Sequence, residues 1–238
     1  MKITAVIVAR KGSRRIPNKM HQIIDGQSLI QRKVRQCLEV KSFDQVIVGS
    51  DDESIKEQVE DMGARFVRRP DRYCDEDAVT PNLMVKNMLS YFKSDVVVWA
   101  HPTNPFIEAF HYESALSIYK NIIDTVGERD VSVTNVAELR GHFYYEYGSG
   151  INHLPNAHHI DVRNVHRTAA QLPAILKQTG GIFIRDYGRM AWDGYFLSSM
   201  PSFYITDEVT GWDIDEPWQL EAARDFLKNQ KKGVKDHE

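Results

Sequence analysis

The stretch that most constrains this chain is residues 5–20, AVIVARKGSRRIPNKM, an apolar run that breaks into a basic loop containing one glycine. Residues 3–9 are rich in β-branched side chains and read as a strand buried on both faces, the kind found in parallel sheets. Open parallel sheets meet their ligands beyond the C-terminal strand ends, and the loop leaving this strand carries Arg10, Lys11, Arg14, Arg15 and Lys19. Gly12 lets backbone amides approach an anion closely, and Arg10 and Lys19 are placed to clamp a triphosphate. Taken alone, a basic loop is more often a solvated surface, so the rest of the chain has to decide.

The rest alternates strand and helix. Ser28 and Gln31 form a capping-box pattern ahead of an apolar face of Leu29, Ile30, Val34, Cys37 and Leu38. Residues 45–49 (QVIVG) are a second buried strand ending in Ser50, Asp51 and Asp52; a polar helix stopped by Gly63 and a short strand at 64–67 complete βαβαβ. Thr80 and Pro81 open another helix, before the strand 95–100 (DVVVWA) and the loop HPTNP at 101–105. This order predicts a three-layer α/β/α domain with a mostly parallel, Rossmann-like sheet spanning 1–238 as a single domain. No element is assigned between 107 and 130. From about 131 the pattern changes: VSVTNV is a strand, and RGHFYYEYG alternates aromatic and polar residues as a half-exposed β-ribbon does. Residues 138–172 read as an insertion at the surface or a subunit contact, with acceptor binding as the alternative. Residues 180–185 and 203–206 return to strand, an amphipathic helix occupies 217–231, and the charged tail beyond is expected to fray.

Two carboxylates are the second chemical signal. In an extended WDID segment Asp213 and Asp215 share one face while Ile214 turns to the core, an arrangement that suits Mg²⁺. Capping of the following helix competes for Asp215. Asp51 and Asp52 lead into a helix and read at least in part as caps. Asp75 and Asp77, in CDEDA, line either a base pocket or a solvent loop, and His101 is either a ligand contact or a packed structural histidine.

At 238 residues and 42% hydrophobic content the chain can bury a sizeable core. Its net charge of −3 makes the basic loop a local feature and argues against general nucleic-acid binding. Cys37 and Cys74 lack metal or disulfide spacing and read as reduced thiols. The first apolar run is too short for a membrane span or signal-peptide core, so no membrane partner and a cytoplasmic location are expected.

These residues carry a resemblance. VARKGSRRIPNK, GSDD at 49–52, RRPDRYCDEDA at 68–78, AHPTNPF at 100–106, AAQLPAILKQTGGIFI at 169–184 and GWDIDEPWQLEAA at 211–223 resemble, in order, segments of the acylneuraminate cytidylyltransferase family, relatives of the CMP-Kdo synthetases. The resemblance implies a nucleotide-diphospho-sugar transferase type of fold, CTP and a small acidic sugar as substrates, Mg²⁺ as cofactor, and a homodimer. It implies a nucleotide site of Ala9, Arg10, Gly12, Ser13 and Lys19 with Asp75 and Asp77 near the cytosine, and Mg²⁺ on Asp213 and Asp215. Arg10, Lys19, Asp213 and Asp215 are then the catalytic set. His101, Thr103, Arg167, Gln171, Lys177 and Thr179 are expected on the acceptor side, with Arg163 and His166 adding positive charge near a subunit boundary. The chain departs from the family at Met20, His101, Phe106, Ile107 and residues 177–180; the last three departures fall where the family recognises the acid sugar, which leaves the acceptor a keto-sugar acid or another small acid. Sugar-phosphate pyrophosphorylase, nucleotide-sugar-dependent glycosyltransferase and a noncatalytic nucleotide-binding module are the competing readings; the basic loop argues against the second and the aspartate pair against the third.

Overall fold

The first apolar run is indeed a central strand, β1 (Ile3–Val8), with Ala5 and Ile7 facing one helical layer and Val6 the other. The computed structural model describes residues 1–127, 130–146, 157–159 and 167–235. After β1 come a small hairpin, β2 (Ile23–Ile24) and β3 (Gln27–Ser28), then α1 (Leu29–Leu38), β4 (Gln45–Ser50), α2 (Lys56–Asp61), β5 (Arg65–Arg68), α3 (Pro81–Leu89) and β6 (Val96–Ala100). Helix α4 (Ala109–Val126), β7 (Ser132–Leu139), β8 (Tyr144–Glu146), β9 (Ala157–His159), β10 (Ile175–Asp186), α5 (Tyr187–Asp193), β11 (Ser202–Thr206) and α6 (Pro217–Lys235) follow.

Seven strands form one sheet in the order β11-β7-β10-β6-β1-β4-β5. Every pairing is parallel except those of β10, which runs against both β6 and β7. Residues of α1, α2 and α4 pack on one face, and α3 and α5 cover the other around the fully buried Trp99. Helix α6 closes a third cluster through Leu220 and Ala223 against Ile16, Ile24, Leu29 and Ile214. The layering follows from strands such as β6, whose five residues are all buried and alternate between the two faces.

The local signals act as expected. Ser28 and Gln31 make a complete capping box on α1, and Thr80 caps α3 with Pro81 in its first turn. Four points differ from the sequence reading. Helices α4 and α5 occupy stretches left unassigned. Strand β10 begins at Ile175 rather than 180, because Ile175–Gln178 pair with β7 before a register shift between Gln178 and Phe183. Helix α6 runs to Lys235, past the 231 at which the sequence reading ended it.

The aromatic ribbon lies apart from the main sheet: among the described residues β8 pairs only with β9, antiparallel, and Tyr144 is 64% exposed. Arg163 and His166 lie outside the described residues. Among the described residues no helix is long and apolar enough to cross a membrane.

Candidate active site

The chain leaves β1 to one side for β4 and β5, then crosses to β6 on the other side. This reversal opens a crevice at the C-terminal ends of β1 and β6, where open α/β sheets place ligands. A cleft of about 600 Å³ lies there. It is lined by the basic loop, by several residues between Arg69 and Met84, by His101, Pro102 and Thr103, and by Asp215.

The basic loop is held by its backbone. Ala9 N donates to Gly49 O at 3.0 Å, and Lys11 N donates to Asp51 Oδ1 at 2.7 Å. Gly12 has φ of +80°, open to a residue without Cβ. The loop's cations meet carboxylates from two directions. Arg10 pairs with Glu76 at 3.0 Å and Arg14 with Asp77; Arg15 reaches Asp215 at 3.0 Å and Glu216 at 2.9 Å. Lys19, only 9% exposed, places Nζ 3.1 Å from Asp215 Oδ1. A compact cation cluster on one side of the cleft thus faces exchangeable acidic partners, which suits a site that takes up a polyanion.

Asp213 and Asp215 flank Ile214, which is fully buried, as their spacing anticipated. Neither carboxylate caps α6; the Gln219 side chain does so, accepting from Asp215 N and Glu216 N at 2.7 Å each. Burial pushes the Asp213 carboxyl above its usual range, against a lowering hydrogen bond from Thr103, and Oδ1 of Asp213 is buried with no hydrogen-bond partner. An orphaned buried carboxylate oxygen beside a second carboxylate is what a hard cation would satisfy. Among the described residues no three His, Cys, Asp or Glu side chains converge as a metal site. The aspartate pair therefore fits Mg²⁺ in the mode that uses one or two carboxylates and completes its shell with phosphate oxygens and water.

Val79, Pro81 and Met84 add apolar lining to the cleft, and Cys74 and Asp75 line it as well. Asp77 is turned away to Arg14 and does not line the cleft. Sequence reasoning missed Arg69. It is 2% exposed, lines the cleft, donates to Tyr73 O at 2.6 Å, and has no carboxylate within ion-pair distance among the described residues. Burial lowers its pKa. The available signal was a doubled arginine, Arg68 and Arg69, at the end of the edge strand β5: Arg68 turns outward to Glu53 and Asp71 while Arg69 turns in.

The acceptor-side residues divide. His101 reaches the cleft, with its ring packed against Phe183 and Phe196; burial, reinforced by the charges of Lys33 and Lys19, pushes it down to about 4, so it is neutral at physiological pH. Thr103 lines the cleft beside Asp213. Thr179 is buried just behind, bonded to Asn135. Lys177 is exposed, yet near enough to Asp213 for its charge to lower that pKa. Gln171 completes a capping box with Thr168, and neither it nor Arg167 lines the cleft. Asp52 caps the turn after β4 through Ser54 N at 3.0 Å and pairs with His21 at 2.9 Å, whereas Asp51 braces the basic loop.

A family model described as cytidylyltransferase matches residues 4–141. N-acylneuraminate cytidylyltransferase of Escherichia coli O18:K1:H7 is 23% identical over 224 residues, 93% of this chain and 51% of that protein. The 8-amino-3,8-dideoxy-manno-octulosonate cytidylyltransferase of Shewanella frigidimarina is 30% identical over 121 residues, 50% of this chain and 48% of that protein. The chain spans about half the length of the curated relatives it matches. Among solved structures, a CMP:2-keto-3-deoxy-manno-octonic acid synthetase complexed with CTP superposes with a TM-score of 0.68 at 18% identity, covering 97% of this chain and all (100%) of that one. The 4-diphosphocytidyl-2C-methyl-D-erythritol synthase of Anaerococcus prevotii gives 0.66 at 11% identity, covering 95% and 98%. Both share the fold.

Proposed function

Because the chain belongs to the cytidylyltransferase family, we propose that it joins CTP to a keto-sugar acid, sialic-acid-like or Kdo-like, and releases pyrophosphate. The observation that carries this reading is the cleft at the sheet's reversal point, with Arg10 and Lys19 on one side and Asp215 reaching in from another. A triphosphate-splitting enzyme needs such a cluster to hold the departing pyrophosphate. The names of the cytidylyltransferase relatives support the substrate class.

In this reading Arg10, Ser13 and Lys19 bind the phosphates, with the loop backbone at Ala9 and Gly12. The Val79–Met84 lining and Asp75 take the cytosine, and Arg69 sits where a polar base edge would lie. Asp213 and Asp215 hold Mg²⁺, which supplies charge neutralisation at the phosphate oxygens when bound. His101, Thr103 and Lys177 orient the acceptor so that its hydroxyl attacks the α-phosphorus in line with the leaving pyrophosphate. Neutral His101 can donate or accept one hydrogen bond without adding charge. Catalysis is then mainly positioning and electrostatics.

The reading includes a homodimer joined through the 138–172 insertion, with Arg167 near the shared boundary. Exposed aromatic surface on the ribbon supports it. The function is tested by pyrophosphate release from each of the four nucleoside triphosphates with a panel of sugar acids and sugar phosphates. CTP with a keto-sugar acid should dominate; turnover of UTP with a sugar phosphate would move the protein to the pyrophosphorylase class.

A further inference from the structure

Three chain segments meet behind the cleft, and each carries residues of the proposed acceptor and metal side. The loop after β6 bears His101 and Thr103, the bulged part of β10 bears Lys177 and Thr179, and residues 211–216 bear Asp213 and Asp215. One side chain, from the first of these segments, bonds to the other two. Asn104 is fully buried, and its Nδ2 donates toward Thr179 O at 3.0 Å, Trp212 O at 3.2 Å and Gly211 O at 3.4 Å. Those carbonyls fix which end of the carboxamide is nitrogen. Among the described residues its Oδ1 is buried without a partner.

The backbone around Asn104 is clamped as well. Lys33, fully buried in α1, donates to Asn104 O at 2.9 Å, while Arg32 and Gln36 both donate to Pro105 O, at 2.7 and 2.8 Å. On the other side Ile214 N donates to Thr103 O at 2.8 Å, so the residue between the two aspartates hangs directly on this loop. The junction has no slack: a Cβ built on Gly211 would lie 2.6 Å from Thr179 Cγ2.

We propose that Asn104 is the positioning residue that sets the His101–Thr103 loop, the β10 bulge and the Asp213–Asp215 segment in register with one another, without itself touching substrate. The proposal rests on the function argued above for its consequence, but its geometry stands independently. Among the described residues no hydrogen bond ties Asn104 to residues 79–84, so the two halves of the site should respond differently to its loss.

Without Mg²⁺, Asn104→Ala and Asn104→Ser should bind CTP within about twofold of wild type by calorimetry, while with Mg²⁺ present kcat/KM for the sugar acid falls about thirtyfold or more in the alanine variant and less in the serine variant, which restores one donor. The Mg²⁺ concentration for half-maximal activity should rise severalfold. Hydrogen–deuterium exchange in peptides covering 209–216 should quicken about tenfold, with peptides covering 45–50 unchanged. Gly211→Ala, which displaces the junction while keeping Asn104, should give the same split. Loss of CTP affinity in proportion to kcat/KM, or faster exchange in both peptides, would reduce Asn104 to a general stability residue; unchanged kinetics with unchanged exchange would also overturn the proposal. If wild type transfers nothing from CTP, the functional reading fails and the exchange comparison alone judges the junction.

Discussion

Replacing Asp213 with Asn should make the protein more stable and nearly inactive. Asp213 is mostly buried, its Oδ1 has no partner, and its charged form is disfavoured by that burial. An unsatisfied buried polar atom costs about 1–3 kcal/mol, and more when it bears charge. Asparagine keeps the shape and the oxygen that meets Thr103 but removes the charge, so in the absence of divalent cation the variant should gain about 1 kcal/mol. For a domain of this size that is an increase in Tm of about 2–4 °C by scanning calorimetry. Wild type, by contrast, should gain about 2.7 kcal/mol from Mg²⁺ and CTP at a hundred times their dissociation constant, and the Mg²⁺-dependent part of that gain should vanish in the variant. Turnover should fall by about 10²–10³, the equivalent of several kcal/mol of lost charge stabilisation. A Tm lowered by several degrees without Mg²⁺, or near-wild-type turnover at low Mg²⁺, would refute the reasoning, because the carboxylate would then be a structural partner rather than a ligand held ready for a cation.

Lys19→Ala should weaken CTP binding by about tenfold to hundredfold in calorimetry, the loss of one charged contact of about 1.5–3 kcal/mol; equal affinity would remove Lys19 from the phosphate site. Lys33, buried among Cys37, Tyr112, Glu108, Arg32 and Arg35, is lowered by burial from 10.5 to about 8, so the unfolded chain binds the extra proton between those values and the native state gains stability as pH rises from about 8. Chemical denaturation of wild type and Lys33→Met at pH 7.5 and 9 should show that rise only in wild type; taking the difference cancels the opposing titration of Cys37, whose thiol burial pushes up to about 12. Light scattering should report a dimer, and deleting the aromatic side chains of Phe143 and Tyr144 should yield monomers; a wild-type monomer removes the ribbon from any interface. Arg167→Ala should raise the sugar-acid KM and spare that for CTP, whereas an effect on CTP alone would rule out an acceptor role.

Much of the fold could be read directly because its strands are extreme cases. Strands β1, β4 and β6 are β-branched runs buried on both faces, and α1 and α3 announce themselves through Ser28–Gln31 and Thr80–Pro81. Helix α4 gave no such warning: Glu108 makes no side-chain cap, and the apolar Phe110 stands on its exposed side. The first half of β10 was hidden for another reason. Lys177 and Gln178 are polar, and their strand conformation depends on pairing with β7, some 40 residues earlier in the chain. Within the candidate site, the basic loop and the aspartate pair were both legible from local chemistry. Their meeting was not, since Lys19 and Asp215 are 196 residues apart and only the sheet order brings them together. Arg69 escaped notice because an arginine beside a proline reads as surface until the fold turns it inward.

The central claim is a cytidylyl transfer, and the product tests it most directly. Incubation of the purified protein with CTP, Mg²⁺ and a panel of keto-sugar acids, followed by mass spectrometry, should reveal a CMP-sugar formed in equal amount to pyrophosphate, with no product when Mg²⁺ is chelated. A nucleoside diphosphate sugar formed from a sugar phosphate, or pyrophosphate without a CMP-linked product, would contradict the account.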